Sequence, residues 1–324
     1  MQSRRPGVRF RAVPRMAGLP DILLPVVALI AAGFAFARIG LVTEAGEAAL
    51  SGIVFYAATP ALLFRAMASA APGSGDLALM AAYFGPCLAL YALWAVAARV
   101  LAGQGAALCG IGAMGSVFGN TVLIGVPVVE RLHGPAGLRL LVMIISIHSA
   151  LLFTATTLLA EAGRGRADGR AALAGTARLM SRNPMVLSIA AGAVFGALQL
   201  RLPTPVDAAL AMLGGATAPL ALLAAGAGLA TFRIGAQLGA CALVASVKLC
   251  LFPLAAWVVA RHVAGLDPLA VAVATLAAAL PTGTNAYVIA RRYDSGVALA
   301  AGSVLLTTLL SAATIPAVVL AVGR

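Results

Sequence analysis

The sequence predicts an all-α polytopic membrane protein, with ten transmembrane helices arranged as two inverted five-helix repeats, and three observations carry that reading. Hydrophobic residues make up 62% of the 324 and charged ones 10%, at a mean hydropathy of +1.03, a balance no soluble globular domain shows. Apolar runs near the roughly 20 residues needed to cross about 30 Å of hydrocarbon recur along the chain. Two of them, one in each half, are interrupted at mid-length by residues that cannot continue a helix.

Taken in order, the chain opens with Arg4, Arg5, Arg9, Arg11 and Arg15 ahead of an apolar stretch, Leu23 to Ala37, that carries no signal-peptide cleavage site and reads as the first span. Met16 follows the arginines directly. Residues 1–15 are therefore expected to be a non-native or disordered extension, with translation starting at Met16. Ten spans follow, at 20–37, 47–66, 77–100, 107–131, 139–160, 184–200, 207–230, 236–262, 268–290 and 297–322. The most polar gap, 161–183, holds Arg164, Arg166, Arg170, Arg178 and Arg182. It divides a first five-helix repeat, 16–160, from a second, 184–324. Asn183 followed by Pro184 starts the sixth span with a capping side chain and a proline where a missing N–H costs nothing.

The halves echo each other in order. Pro60 and Pro219 stand in similar Ala-Leu-Leu settings, Trp94 and Trp257 fall at matching points, and Asn120 and Asn285 mark the two interruptions, at offsets of 159, 163 and 165. An odd number of crossings per half inserts the second copy upside down. Counting from Met16, basic residues favour the face of the central loop, which puts that loop in the cytoplasm and both termini outside. The formal charge of +12 thus reads as topology signal, since no basic groove with interleaved aromatics suggests nucleic acid. Cys87, Cys109, Cys241 and Cys250 sit singly in apolar segments, with neither disulfide nor metal spacing.

The interruptions are Ser116 to Val129, broken by Gly119, Asn120, Gly125 and Pro127, and Ala278 to Tyr293, broken by Pro281, Thr282, Gly283, Thr284 and Asn285. An unpaired backbone group in hydrocarbon costs several kcal/mol, so a break survives only where protein or a water-lined cavity satisfies it. A half-helix beginning after a break presents bare N–H groups and partial positive charge to an anion. The amides of Asn120 and Asn285 can grip a carboxylate without burying a charge, or cap the half-helices. Thr121, Thr282, Thr284 and Tyr287 add hydroxyls. Lys248 is the only lysine and lies mid-span with no membrane-embedded acid to pair with. It supplies either positive charge for an anion or a strut to the carbonyls of the opposite break. His148 is either a proton carrier or a hydrogen-bonding link between helices. Glu130 and Arg131 close the fourth span as interface residues, and a homodimer is an assembly the sequence leaves open. No phosphate-binding glycine loop, H-E-x-x-H or catalytic dyad is present, so no enzyme activity, cofactor or metal is expected.

At these residues the sequence resembles the auxin efflux carrier family, which includes bacterial malonate permease-like proteins and the plant PIN auxin exporters. Asn120-Thr-Val-Leu-Ile-Gly-Val-Pro is similar to its N-T-x-x-x-G-I-P motif, and Leu280-Pro-Thr-Gly to its L-P-x-G motif. Phe55 to Phe64 and Arg182-Asn-Pro resemble further signatures. The resemblance implies the fold of bile-acid symporters, with spans four and nine crossing at their breaks. It also implies a scaffold of spans one, two, six and seven, an elevator-like transport unit of the others, and Asn120 and Asn285 at the substrate site. Gly119 and Ala286 stand where the plant proteins look to have proline, which argues against auxin as substrate. The expectation is a secondary carrier of small organic anions, such as malonate, in a bacterial inner membrane. A sodium-coupled symporter of amphipathic acids and a non-transporting membrane receptor or enzyme are the alternatives.

Overall fold

The computed structural model describes residues 19–68, 76–163, 174, 178, 181–230 and 237–322, so the N-terminal extension and most of the basic central loop lie outside the described residues. Every regular element described is a helix. In order these are α1 (Leu19–Arg38), α2 (Glu44–Ala68), α3 (Asp76–Leu101), α4 (Ala106–Val117), α5 (Thr121–Ala162), α6 (Pro184–Ala197), α7 (Thr204–Leu229), α8 (Leu238–Val263), α9 (Pro268–Ala279), α10 (Asn285–Tyr293) and α11 (Val297–Val322). Among the described residues α2, α3, α5, α7, α8 and α11 are each long and apolar enough to cross a membrane.

Local chemistry sets the ends. Thr43 caps α2 by accepting from the Gly46 N–H, and Asn183 caps α6 by accepting from the Met185 N–H at 2.9 Å, with Pro184 in the first turn. Asp267 caps α9 through the N–H groups of Leu269 and Ala270. The 42 residues of α5 are two helices joined at Gly134, whose φ of 62° and ψ of −159° suit glycine alone, with Pro135 starting the second piece. That second piece begins earlier than the expected 139, and α6 ends at Ala197 rather than 200. Single π-turns lie at Val54–Ala58, Thr121–Gly125, Val247–Leu251 and Val259–Val263. Such turns recur at functional positions, and here one follows the Asn120 cap and another carries Lys248.

The helices sort into two packed groups. In the first, α1 lies on α7, while α2 lies on α6 and on the start of α7. Glycines allow these backbones to touch. A Cβ on Gly33 would land on the Leu223 carbonyl, one on Gly226 on the Ile30 carbonyl, and one on Gly192 2.5 Å from the Phe64 carbonyl oxygen. The second group, α3, α4, α5, α8, α9 and α11, holds most of the fully buried side chains, including Tyr83, Met114, Ile144, Lys248 and Phe252. With no hydrophobic drive between helices inside a bilayer, such close backbone approach is what dispersion packing has to work with.

Gly226→Ala is accordingly expected to push α1 from α7 and cost roughly 1–3 kcal/mol, a fall of a few degrees in Tm for the detergent-solubilised protein. Gly85→Ala, whose Cβ would meet nothing within 4 Å, serves as the control and should leave Tm unchanged.

Candidate functional site

Helix α4 stops at Val117 because Phe118 is extended, with φ −76° and ψ 108°; α9 stops at Ala279 because Leu280 is extended, with φ −61° and ψ 146°. Pro281 accounts for the second stop, since a proline ring drives the preceding residue out of the helical region. The two extended pieces run antiparallel past each other, with Gly119 opposite Thr282. The Asn120 N–H donates to the Pro281 carbonyl at 2.8 Å, and the Gly283 N–H donates to the Phe118 carbonyl at 2.9 Å. Each interruption thereby satisfies part of the other.

This bonding makes Gly119 and Thr282 a non-hydrogen-bonded pair, in which the Cα atoms approach to about 4.5 Å and each residue's own N–H points outward. Both outward donors find side chains. The Gly119 N–H donates to His148 Nε2 at 3.2 Å, and the Thr282 N–H to Thr307 Oγ1 at 3.0 Å. The Thr282 hydroxyl donates to the Gly115 carbonyl at 2.7 Å, tying the second extended piece to the end of α4. A Cβ on Gly283 would stand 2.7 Å from the Phe118 ring, and one on Gly125 2.6 Å from Leu280 Cδ1, so the crossing is too tight for side chains there. Gly125 and Pro127 lie beyond the extended residues, within the helix that follows.

Half-helices leave the crossing at Thr121 and Asn285. Asn120 caps the first, its Oδ1 accepting from the Leu123 N–H at 3.2 Å, which leaves its Nδ2 donors without a partner among the described residues. Asn285 is half-buried, and its side chain bonds to no described residue. Thr121 is buried, while Thr284 and Tyr287 are half-buried beside Asn285. Lys248, wholly buried, donates from Nζ to the Ala278 carbonyl and lies 5.0 Å from the Phe252 ring centroid. Its charge therefore sits at the C-terminal, electronegative end of α9. His148 is also wholly buried, its Nδ1 3.5 Å from the Tyr83 hydroxyl and its ring 4.6 Å from that of Phe118.

Two cavities lie between the helices. One, of about 570 Å³, is walled by Leu62 and Arg65 of α2, Glu130 and Leu138 of α5, Phe195 of α6 and Asp207 of α7. There the Arg65 guanidinium holds the Asp207 carboxylate at 2.7 and 3.3 Å. The other, of about 590 Å³, lies between α1 (Ile30, Phe34, Arg38), α5 (Ile124, Val128) and α11 (Thr308, Ser311).

A family profile described as membrane transport protein matches residues 21–319. The chain belongs to that family. It is the family of the auxin efflux carriers whose motifs the sequence carries. A protein of Rhizobium meliloti (strain 1021), provisionally named a malonate transporter, is 30% identical over 310 residues, which cover 93% of this chain and 94% of its own. Membership in a family of transporters accords with the succession of long apolar helices.

The sequence pointed to Asn120, Thr282, Gly283 and Pro281, and the structure brings these together. It missed Thr307, Gly115 and Phe118. Thr307 follows His148 by 159 residues, the interval that also separates Pro60 from Pro219, but two unlike side chains at that interval form no recognisable pattern.

Thr282→Val should leave the buried Gly115 carbonyl without its donor and cost about 1–3 kcal/mol, read as a lower Tm in detergent, whereas Thr282→Ser should retain most of the stability.

Proposed function

We propose that the protein is a ten-helix secondary carrier of small organic anions in a bacterial inner membrane, working by alternating access with its central loop in the cytoplasm. The observation that carries this reading is the crossing itself. Two half-helix N-termini start there, beside amide nitrogens on Asn120 and Asn285 that no described residue occupies. Such ends suit a carboxylate, and the donors are neutral, so they add no buried charge of their own.

An inverted repeat is supported by equivalent roles at equivalent positions: His148 and Thr307 each receive the outward N–H of one strand of the crossing. An elevator-like movement is supported by the two packed groups, since α1, α2, α6 and α7 contact one another through backbone while the crossing belongs to the other group. Each cavity has one wall in each group, so relative movement of the groups would reshape both. Malonate is the first substrate to try because of the relative's name. Lys248 contributes through the field it sets at α9 rather than as a direct ligand, its ammonium being turned to Ala278. The lipid bilayer is the working surroundings, and a homodimer is compatible with this arrangement.

The test is flux of mono- and dicarboxylates into proteoliposomes. Asn285→Ala should abolish saturable flux with Tm unchanged, because its side chain supports nothing else. Asn120→Ala should abolish flux and also cost about 1 kcal/mol for the lost cap. Normal transport by both variants would refute the site.

A further inference from the structure

We infer that His148 and Thr307 are a matched pair of positioning residues that fix the register of the crossing, and that His148 does so as a neutral acceptor rather than as a proton carrier. The inference rests on the carrier reading for its functional consequence, though not for its chemistry.

The pairing of Gly119 with Thr282 determines what is needed. In a non-hydrogen-bonded antiparallel pair, the two residues' own N–H groups face away from each other, and within a membrane each must find an acceptor. Helix α5 supplies His148 Nε2 for Gly119, and α11 supplies Thr307 Oγ1 for Thr282. An imidazole nitrogen that accepts an N–H cannot itself hold a proton, so the ring carries its hydrogen on Nδ1, directed at the Tyr83 oxygen. The ring is enclosed by Phe118, Tyr83 and Phe84, and among the described residues the charge that acts on it is the Lys248 ammonium, held by Ala278. Protonating Nε2 would eject the Gly119 N–H and unseat the residue before Asn120. Thr307 completes its side by donating its hydroxyl to the Ser303 carbonyl at 2.6 Å, which points an oxygen lone pair at Thr282. Sliding either strand by one residue would carry that strand's outward donor away from its acceptor. The pair therefore holds the Asn120 and Asn285 half-helices in one relative position.

Two measurements test this. Nitrogen-15 spectra of histidine-labelled protein in lipid should contain one ring with Nδ1 protonated and Nε2 bare at neutral pH, absent from His148→Gln. In proteoliposomes assayed with malonate, His148→Leu and Thr307→Val should each raise KM at least tenfold. His148→Gln, whose side-chain oxygen can accept, and Thr307→Ser should stay within about threefold of the parent, with the pH profile of flux unchanged. A His148 ring protonated on Nε2 would overturn the assignment, as would a His148→Gln protein that binds normally but loses pH dependence, or a His148→Leu protein with unaltered KM. Should His148→Leu fail to fold, the spectra and the Thr307 pair still decide. The spectra need no transport, so an inactive parent would count against the carrier reading alone.

Discussion

The structure depends on how four main-chain groups, exposed by breaking two helices inside hydrocarbon, are satisfied. Each would cost several kcal/mol if left bare, on the scale of the protein's whole stability. The solution is reciprocal: Asn120 and Gly283 donate across to Pro281 and Phe118, so neither break is tolerable without the other. The glycines at 119, 125 and 283, the proline at 281 and the small residues near them follow from the close approach this demands.

Further out, side chains take up what the crossing leaves over. His148 and Thr307 receive the outward N–H groups, Thr282 anchors to Gly115, and Lys248 takes an end carbonyl of α9. These polar groups are buried and engaged, which spends most of the chemistry-bearing residues on holding the site in shape. Among the described side chains at the crossing, the amide nitrogen of Asn120 and the whole side-chain amide of Asn285 bond to no described residue.

Much of this was legible in the sequence, and the reasons are specific. The spans announce themselves through long apolar runs, and the breaks through Gly-Asn-Thr and Pro-Thr-Gly-Thr-Asn, residues that pay heavily for lying mid-span unless they serve a purpose. The partition of roles among them was not legible. Thr282 looked like a ligand hydroxyl but is tied to Gly115, and Lys248 was open to two readings until Ala278 appeared beside it. Long-range partners such as Thr307 depend on which strand register the crossing adopts, and no local pattern encodes that. The Gly134 kink was equally hidden, because Gly-Pro in a loop and Gly-Pro joining two helices look alike along the chain.

The most direct test of the central claim is residue-resolved amide hydrogen exchange in lipid nanodiscs at Asn120 and Gly283. If the two interruptions bond to each other, both amides should exchange as slowly as the interior of α4 and α9, and Pro281→Ala, which frees the register, should accelerate both together. Exchange at either amide as fast as in an exposed loop such as Gly103–Gly105, or acceleration of one without the other, would contradict the account.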